Sequence, residues 1–173
     1  MINEIFDTIQ KVLNAHIQNQ FTLSEDIVVV NSLNDQNGSP MASNENKVVV
    51  TLVNIHEESN HRYYGENPKG GTQIGSPMHL NLYILCTANF NDYNESLKLL
   101  SAVIEYFSAH PMLNHQNCSN LPNAIERISF EMESLNREEV SQLYAVLGAN
   151  YRPSVSYKIR SVSIGKKELN QLV

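Results

Sequence analysis

Residues 77–113 read PMHLNLYILCTANFNDYNESLKLLSAVIEYFSAHPML, and this stretch decides the fold. Met78, Leu80, Leu82, Ile84, Cys86, Ala88 and Phe90 alternate with His79, Asn81, Tyr83, Leu85, Thr87 and Asn89. Side chains of a strand point in turn to its two faces, so the pattern predicts a long strand with one buried face. The period then changes. Leu97, Leu100, Val103, Ile104 and Phe107 recur at three and four, which is one stripe of a helix. Asp92 suits the N-cap, and Glu95 fits a capping box with it. Pro111 ends the helix, because the residue before a proline is pushed out of the helical region. A turn this tight folds the helix back onto the strand, so the two apolar surfaces are expected to meet.

Working outward, residues 3–19 predict an amphipathic helix with Ile5, Phe6, Ile9, Val12, Leu13 and Ile17 inward and Asn3 as its cap. Residues 27–31 form a short β-branched run and predict a strand. Residues 32–46 are turn formers and predict a mobile loop. Residues 47–56 open with apolar residues on both faces, which predicts a strand inside the sheet. Residues 57–77 hold four of the seven glycines and two of the six prolines, which makes them a long exposed loop.

Past the opening stretch, 114–123 read as polar loop. Residues 125–132 alternate, with Ile128, Phe130 and Met132 on one side and Arg127, Ser129 and Glu131 on the other. Asn136, Glu139 and Leu135 open a helix with a capping box and an apolar staple to Val140. In that helix Val140, Leu143, Tyr144 and Leu147 are expected inward, with Gly148 at the C′ position. A strand over 154–164 follows, its alternation slipping near Ser161 as at a bulge. The element order α-β-β-β-α-β-α-β predicts an α+β fold: a mixed, mainly antiparallel sheet flanked by about three helices. One domain over 1–164 and a polar tail over 165–173 are expected.

The chain has 173 residues, 42% of them hydrophobic, enough for one core. A formal charge of −6 disfavours nucleic acid and anionic membranes as partners. Two cysteines give no disulfide framework and point to a reducing compartment, with Cys86 on the strand's apolar face and Cys118 in a polar loop. No leader pattern or membrane-spanning run is expected. His56 with His61, and His110 with His115, are spaced five apart but lack a third ligand, which favours solvated loop histidines over a metal site. His115 and Cys118 could supply a base and a thiol, but a thiolate needs a fixed electropositive pocket that an Asn-rich loop does not promise. Gly70-Gly71 lacks the Lys-Ser/Thr of a phosphate loop, and no serine is framed as a nucleophile elbow. No catalytic, cofactor or metal site follows.

One charge pattern stands out. Arg152, Lys158, Arg160, Lys166 and Lys167 carry no acid among them, whereas Glu126, Glu131, Glu133, Glu138 and Glu139 cluster upstream, against Arg127 and Arg137. Two readings fit: strands pairing across one sheet, or an acidic edge of one subunit meeting a basic edge of the next. The first carries more weight, because exposed ion pairs are weak.

LNLYILCTANFNDYNESLKLLSAVIEYFSAHPML, with KVVVTLVNIHEE before it and LGANYRPSVSYKIRSVSI after it, resembles the N-terminal domain of the cap, or tube-terminator, proteins of contractile injection systems. These are the phage-tail-like particles of the antifeeding-prophage and Photorhabdus virulence cassette types. The resemblance runs over roughly 2–164, apart from the loops at 32–46 and 57–77. It implies a tail-terminator-like fold, no catalytic residues, and a hexameric ring that stops the inner tube and the sheath from growing. The implied partners are copies of the chain, the inner-tube protein and the sheath protein, in a particle assembled in the cytoplasm, with no direct membrane insertion. On that basis Arg152, Lys158, Arg160, Glu131 and Glu133 are candidate subunit or sheath contacts. Arg62, Tyr63, Tyr64 and Lys69 are candidate tube contacts. The alternatives are an adaptor elsewhere in the particle, a plain soluble binding module, or a thiol hydrolase using Cys118.

Overall fold

The structure is a computed structural model and describes residues 1–58 and 78–164. The elements are α1 (Ile2–Phe21), β1 (Val28–Val30), β2 (Lys47–Glu57), β3 (Met78–Asn89), α2 (Tyr93–Ala109), β4 (Met112–Asn114), β5 (Arg127–Glu133), α3 (Arg137–Leu147) and β6 (Ser154–Ile164). The strands form one sheet in the order β1-β2-β3-β6-β5-β4. Only β1 and β2 run parallel; the other neighbours are antiparallel. The fold class is α+β, as expected, and β2 lies inside the sheet.

One face carries the main core. Leu82, Ile84 and Cys86 of β3 meet Ile159, Tyr157 and Val155 of β6 across the sheet. Ile5, Ile9, Leu13 and Ile17 of α1 and Leu99, Val103 and Phe107 of α2 cover them. The helix was expected to bury Leu97, but Leu97 is 42% exposed, while Leu99, Ala102 and Tyr106 join Val103 and Phe107 inside. α2 must pack against α1 as well as the sheet, which turns the stripe by part of a turn. Asp92 caps α2, accepting from the N–H groups of Asn94 and Glu95. Glu95 makes no capping box and instead pairs with Lys98 at 2.7 Å. α1 likewise starts at Ile2 without a side-chain cap, so Asn3 lies inside the helix.

The second face of β3 is buried too, which the alternation did not predict. Asn81, Leu85 and Thr87 are all buried. α3 supplies Val140, Leu143 and Tyr144 over Leu85, enclosing a cavity of about 130 Å³. Of the four α3 residues expected inward, only Tyr144 is fully buried. The capping box of Asn136 and Glu139 is present, and Gly148 ends the helix in the left-handed region at φ 61°.

Residues 32–46 are not a loose loop. They connect two parallel strands, and a parallel pair needs a connection that crosses a sheet face. The Asp35 carboxylate accepts from the N–H groups of Asn37 and Ser39 at 2.9 and 2.8 Å. Buried Asn44 donates to the Ser32 carbonyl at 2.8 Å, and Asn89 donates to the Asn44 carbonyl at 2.6 Å.

Three further expectations change. Met132, paired with Tyr157 near the end of β5, is 50% exposed and does not join Ile128 and Phe130 in the core. Met112–Asn114 forms a short edge strand within residues read as helix end and loop. Cys118 is buried, since the segment after β4 tucks Cys118, Leu121 and Ile125 into the core. The expected bulge in β6 is present: Ile159 and Val162 face Leu82 and Leu80, so two residues of β6 oppose one of β3.

Candidate assembly surfaces

The register puts the charged residues of β5 and β6 on the face opposite the α1–α2 core. Glu131 lies across from Lys158, and Glu133 across from Ser156. Arg160 reaches two carboxylates of its own chain, Glu131 at 2.9 Å and Glu58 at 2.8 Å. The hydrogen bonds to Glu58 and Glu131 hold its guanidinium still more firmly protonated than usual. Lys158 lies 5.8 Å from the centre of the Tyr83 ring. Ser156 donates to Glu133 at 2.7 Å.

Of the candidate subunit contacts, the structure therefore brings Arg160, Glu131, Glu133 and Lys158 onto one strip. Arg160 and Glu131 already neutralise each other there. Glu58, which sequence reasoning missed, adds the second carboxylate. Its N–H donates to the His79 carbonyl at 2.8 Å, so the two ends of the 59–77 segment are held side by side. Arg62, Tyr63, Tyr64 and Lys69, and the tail at 165–173, lie outside the described residues.

Arg152 stands apart, at the corner where the chain leaves α3 for β6. It lines a polar cleft of about 210 Å³ with Asn34, Thr87, Asn89 and residues 148–150. No ion pair within the chain involves its guanidinium among the described residues.

The candidate chemistry looks different from the sequence. Burial pushes the Cys86 thiol up to about 12. Cys118 is also buried, while His115 is exposed. A thiol needs access and a lowered pKa to act as a nucleophile, and neither cysteine has the access. His56 bonds Asn54 at 2.9 Å and meets Tyr83 edge-on. His110 bonds the Tyr106 carbonyl at 3.1 Å and stacks on its ring; His61 lies outside the described residues. Among the described residues no group of three or more His, Cys, Asp or Glu could hold a metal. No described helix is long and apolar enough to cross a membrane.

The fold is that of tail-terminator-like proteins. It matches the sheath/tube terminator of a PVC extracellular contractile injection system in its extended state, with TM-score 0.59 and 14% identity, over 98% of this chain and 58% of that one. It also matches the tube-terminating cap of the anti-feeding prophage, with TM-score 0.58 and 16% identity, over 98% of this chain and 59% of that one. The chain thus spans under two thirds of the length of either protein. The chain belongs to the Pvc16 N-terminal domain family, whose model matches residues 4–171. No curated protein matches it.

Proposed function

We propose that this chain is a structural cap of a contractile, phage-tail-like injection particle. It forms a ring, hexameric in this reading, at the distal end of the inner tube. It contacts the last tube ring and the last sheath ring and stops both from growing. It is made in the cytoplasm and travels with the particle. The observation that carries the reading is the family match over residues 4–171, supported by a fold shared over 98% of the chain with two solved terminators.

The physical task fits a rigid domain with differentiated rims. A stack of identical rings adds subunits until its end presents a face that no longer matches. Ring closure needs a head-to-tail contact between neighbours. Because Arg160 and Glu131 are paired within the chain, that contact falls to Arg152 at its corner and to Lys158 on the strip that also carries Glu133. The segment bearing Arg62, Tyr63, Tyr64 and Lys69 meets the tube. Negative-stain imaging of the purified chain tests the reading, with rings of six-fold symmetry as the expected outcome and dispersed monomers at high concentration overturning it. In particles, a label on the chain should mark the end distal to the baseplate. A label at the baseplate would make the chain an adaptor instead.

A further inference from the structure

The cleft beside Arg152 holds an observation that neither the fold nor ring closure explains. Thr87 is fully buried, lines the cleft, and its hydroxyl has no hydrogen-bond partner among the described residues. A buried hydroxyl left unpaired is costly, and native structures rarely leave one so without a use. The register fixes what it faces. Thr87 lies directly across β6 from Ser154. Continuing that antiparallel register sets Asn89 opposite Arg152, so Arg152 and Thr87 are diagonal neighbours on one face. Diagonal pairs are about 7–8 Å apart. That is a backbone separation; both side chains line one cleft, where a single carboxylate can accept from two donors.

The surroundings favour a negative group from a protein. Among the described residues Arg152 is the one cation lining the cleft, and no acid lines it. The carbonyl of Gly148 at the end of α3 already accepts from Asn34, and the carbonyls of Tyr144 and Ala145 accept within the turn. The helix end therefore presents few free acceptors to repel an anion. Val146 and Tyr151 bracket residues 148–150 in the chain and are 84% and 67% exposed. Tyr and Arg are among the residue types that anchor protein contacts, and the exposed Val146 adds apolar surface next to them in the chain.

We propose that this corner is a docking site for an acidic side chain of a partner protein. Arg152 takes the carboxylate at the mouth, the Thr87 hydroxyl donates to its second oxygen at the floor, and Val146 and Tyr151 cover the flanks. The site deepens the reading above, in which Arg152 contacts a neighbouring chain, and rests on it for that contact; what it adds is the Thr87 donor and the kind of group that Arg152 meets.

The test is an NMR titration of the full chain with N-acetyl-glutamate amide, and with N-acetyl-glutamine amide as the neutral control. The glutamate probe should shift the Arg152 Nε–H, Thr87 and Gly148 signals, and the glutamine probe should not. Arg152→Gln and Thr87→Val should each weaken the response about ten-fold. Thr87→Ser, which keeps the hydroxyl, should retain it. Equal shifts with both probes, no shifts at the solubility limit, or unchanged binding by Arg152→Gln and Thr87→Val would overturn the site. Self-association that Arg152→Gln abolishes would identify a second copy as the source of the carboxylate. A chain that binds the probe but forms no rings keeps this site and loses the terminator reading; rings without probe binding do the reverse.

Discussion

The two faces of the sheet are built on different physics. The α1–α2 face is dry: Leu82, Ile84, Cys86, Tyr157 and Ile159 lie under two long helices in one continuous cluster. The opposite face is a patchwork. α3 covers Leu85 around a cavity, the 31–46 crossover covers Thr87 and Asn89, and the remainder is a strip of ion pairs and half-buried polar groups. A dense face holds the fold, and a thin, polar one can be reshaped by a partner at little cost. The β3 strand belongs equally to both, so its even and odd positions should respond differently to the same kind of change.

The largest effect is expected on the dense face. Ile84→Ala should destabilise the chain by about 3–5 kcal/mol, whereas Leu85→Ala, beside an existing cavity, should cost about 2 kcal/mol. Urea unfolding of both variants checks the order, and an equal or larger loss for Leu85→Ala would break the comparison. Next comes the sheet's edge. The Asn14 amide accepts from the N–H groups of Ile27 and Val28, both at 2.8 Å, and donates to the Val28 carbonyl at 3.0 Å. It stands in for a neighbouring strand. Asn14→Ala leaves the Ile27 and Val28 N–H groups unpaired, while the Val28 carbonyl keeps its bond from Gln10, and should cost about 2–3 kcal/mol, with early hydrogen exchange at Val28. On the thin face Asn136→Ala removes the cap of α3 and should cost about 1 kcal/mol. That loss should appear as faster exchange in α3 alone, since α3 is attached mainly through Tyr144. Spread of the effect into β3 would mean the two faces fold as one unit.

What could be read from the residues divides along the same line. The caps of α2 and α3 are local, so Asp92, Asn136 and Gly148 announce them within a few positions. The alternation of β3 is also local, but it cannot say what returns from elsewhere in the chain. Burial of Leu85 and Thr87 depends on α3 and on a crossover whose Asn, Ser and Gly content looks like free loop. α2 offers two overlapping stripes, and only its contact with α1 chooses the one through Leu99 and Tyr106. Asn14 lies in a helix among apolar residues, with nothing nearby to mark it as a strand's partner. At the candidate surface the charge clusters are visible in the residues. The Arg160–Glu131 pairing is one of the two readings they allow, and only the register of β5 and β6 selects it. Glu58 and the Arg152 cleft depend on contacts across more than sixty residues, which no local pattern encodes.

The smallest expected effect on stability is also the most discriminating. Thr87→Val exchanges a hydroxyl for a methyl of the same shape. In an ordinary core site that change strands a hydrogen-bond partner and destabilises. Here the hydroxyl has no partner among the described residues, so the exchange removes a desolvated polar group and adds apolar burial. Stability should stay within about 0.5 kcal/mol of the parent or rise slightly. A loss above about 1 kcal/mol would mean that ordered water satisfies Thr87 as part of the fold. The hydroxyl would then belong to the scaffold, like the residues of the dense face. A gain in melting temperature together with a lost response to an acidic probe would mean the reverse. The floor of that cleft would then be held at a cost to stability for the sake of what it binds, and Leu85 and Thr87, two positions apart on one strand, would mark where scaffold gives way to working surface.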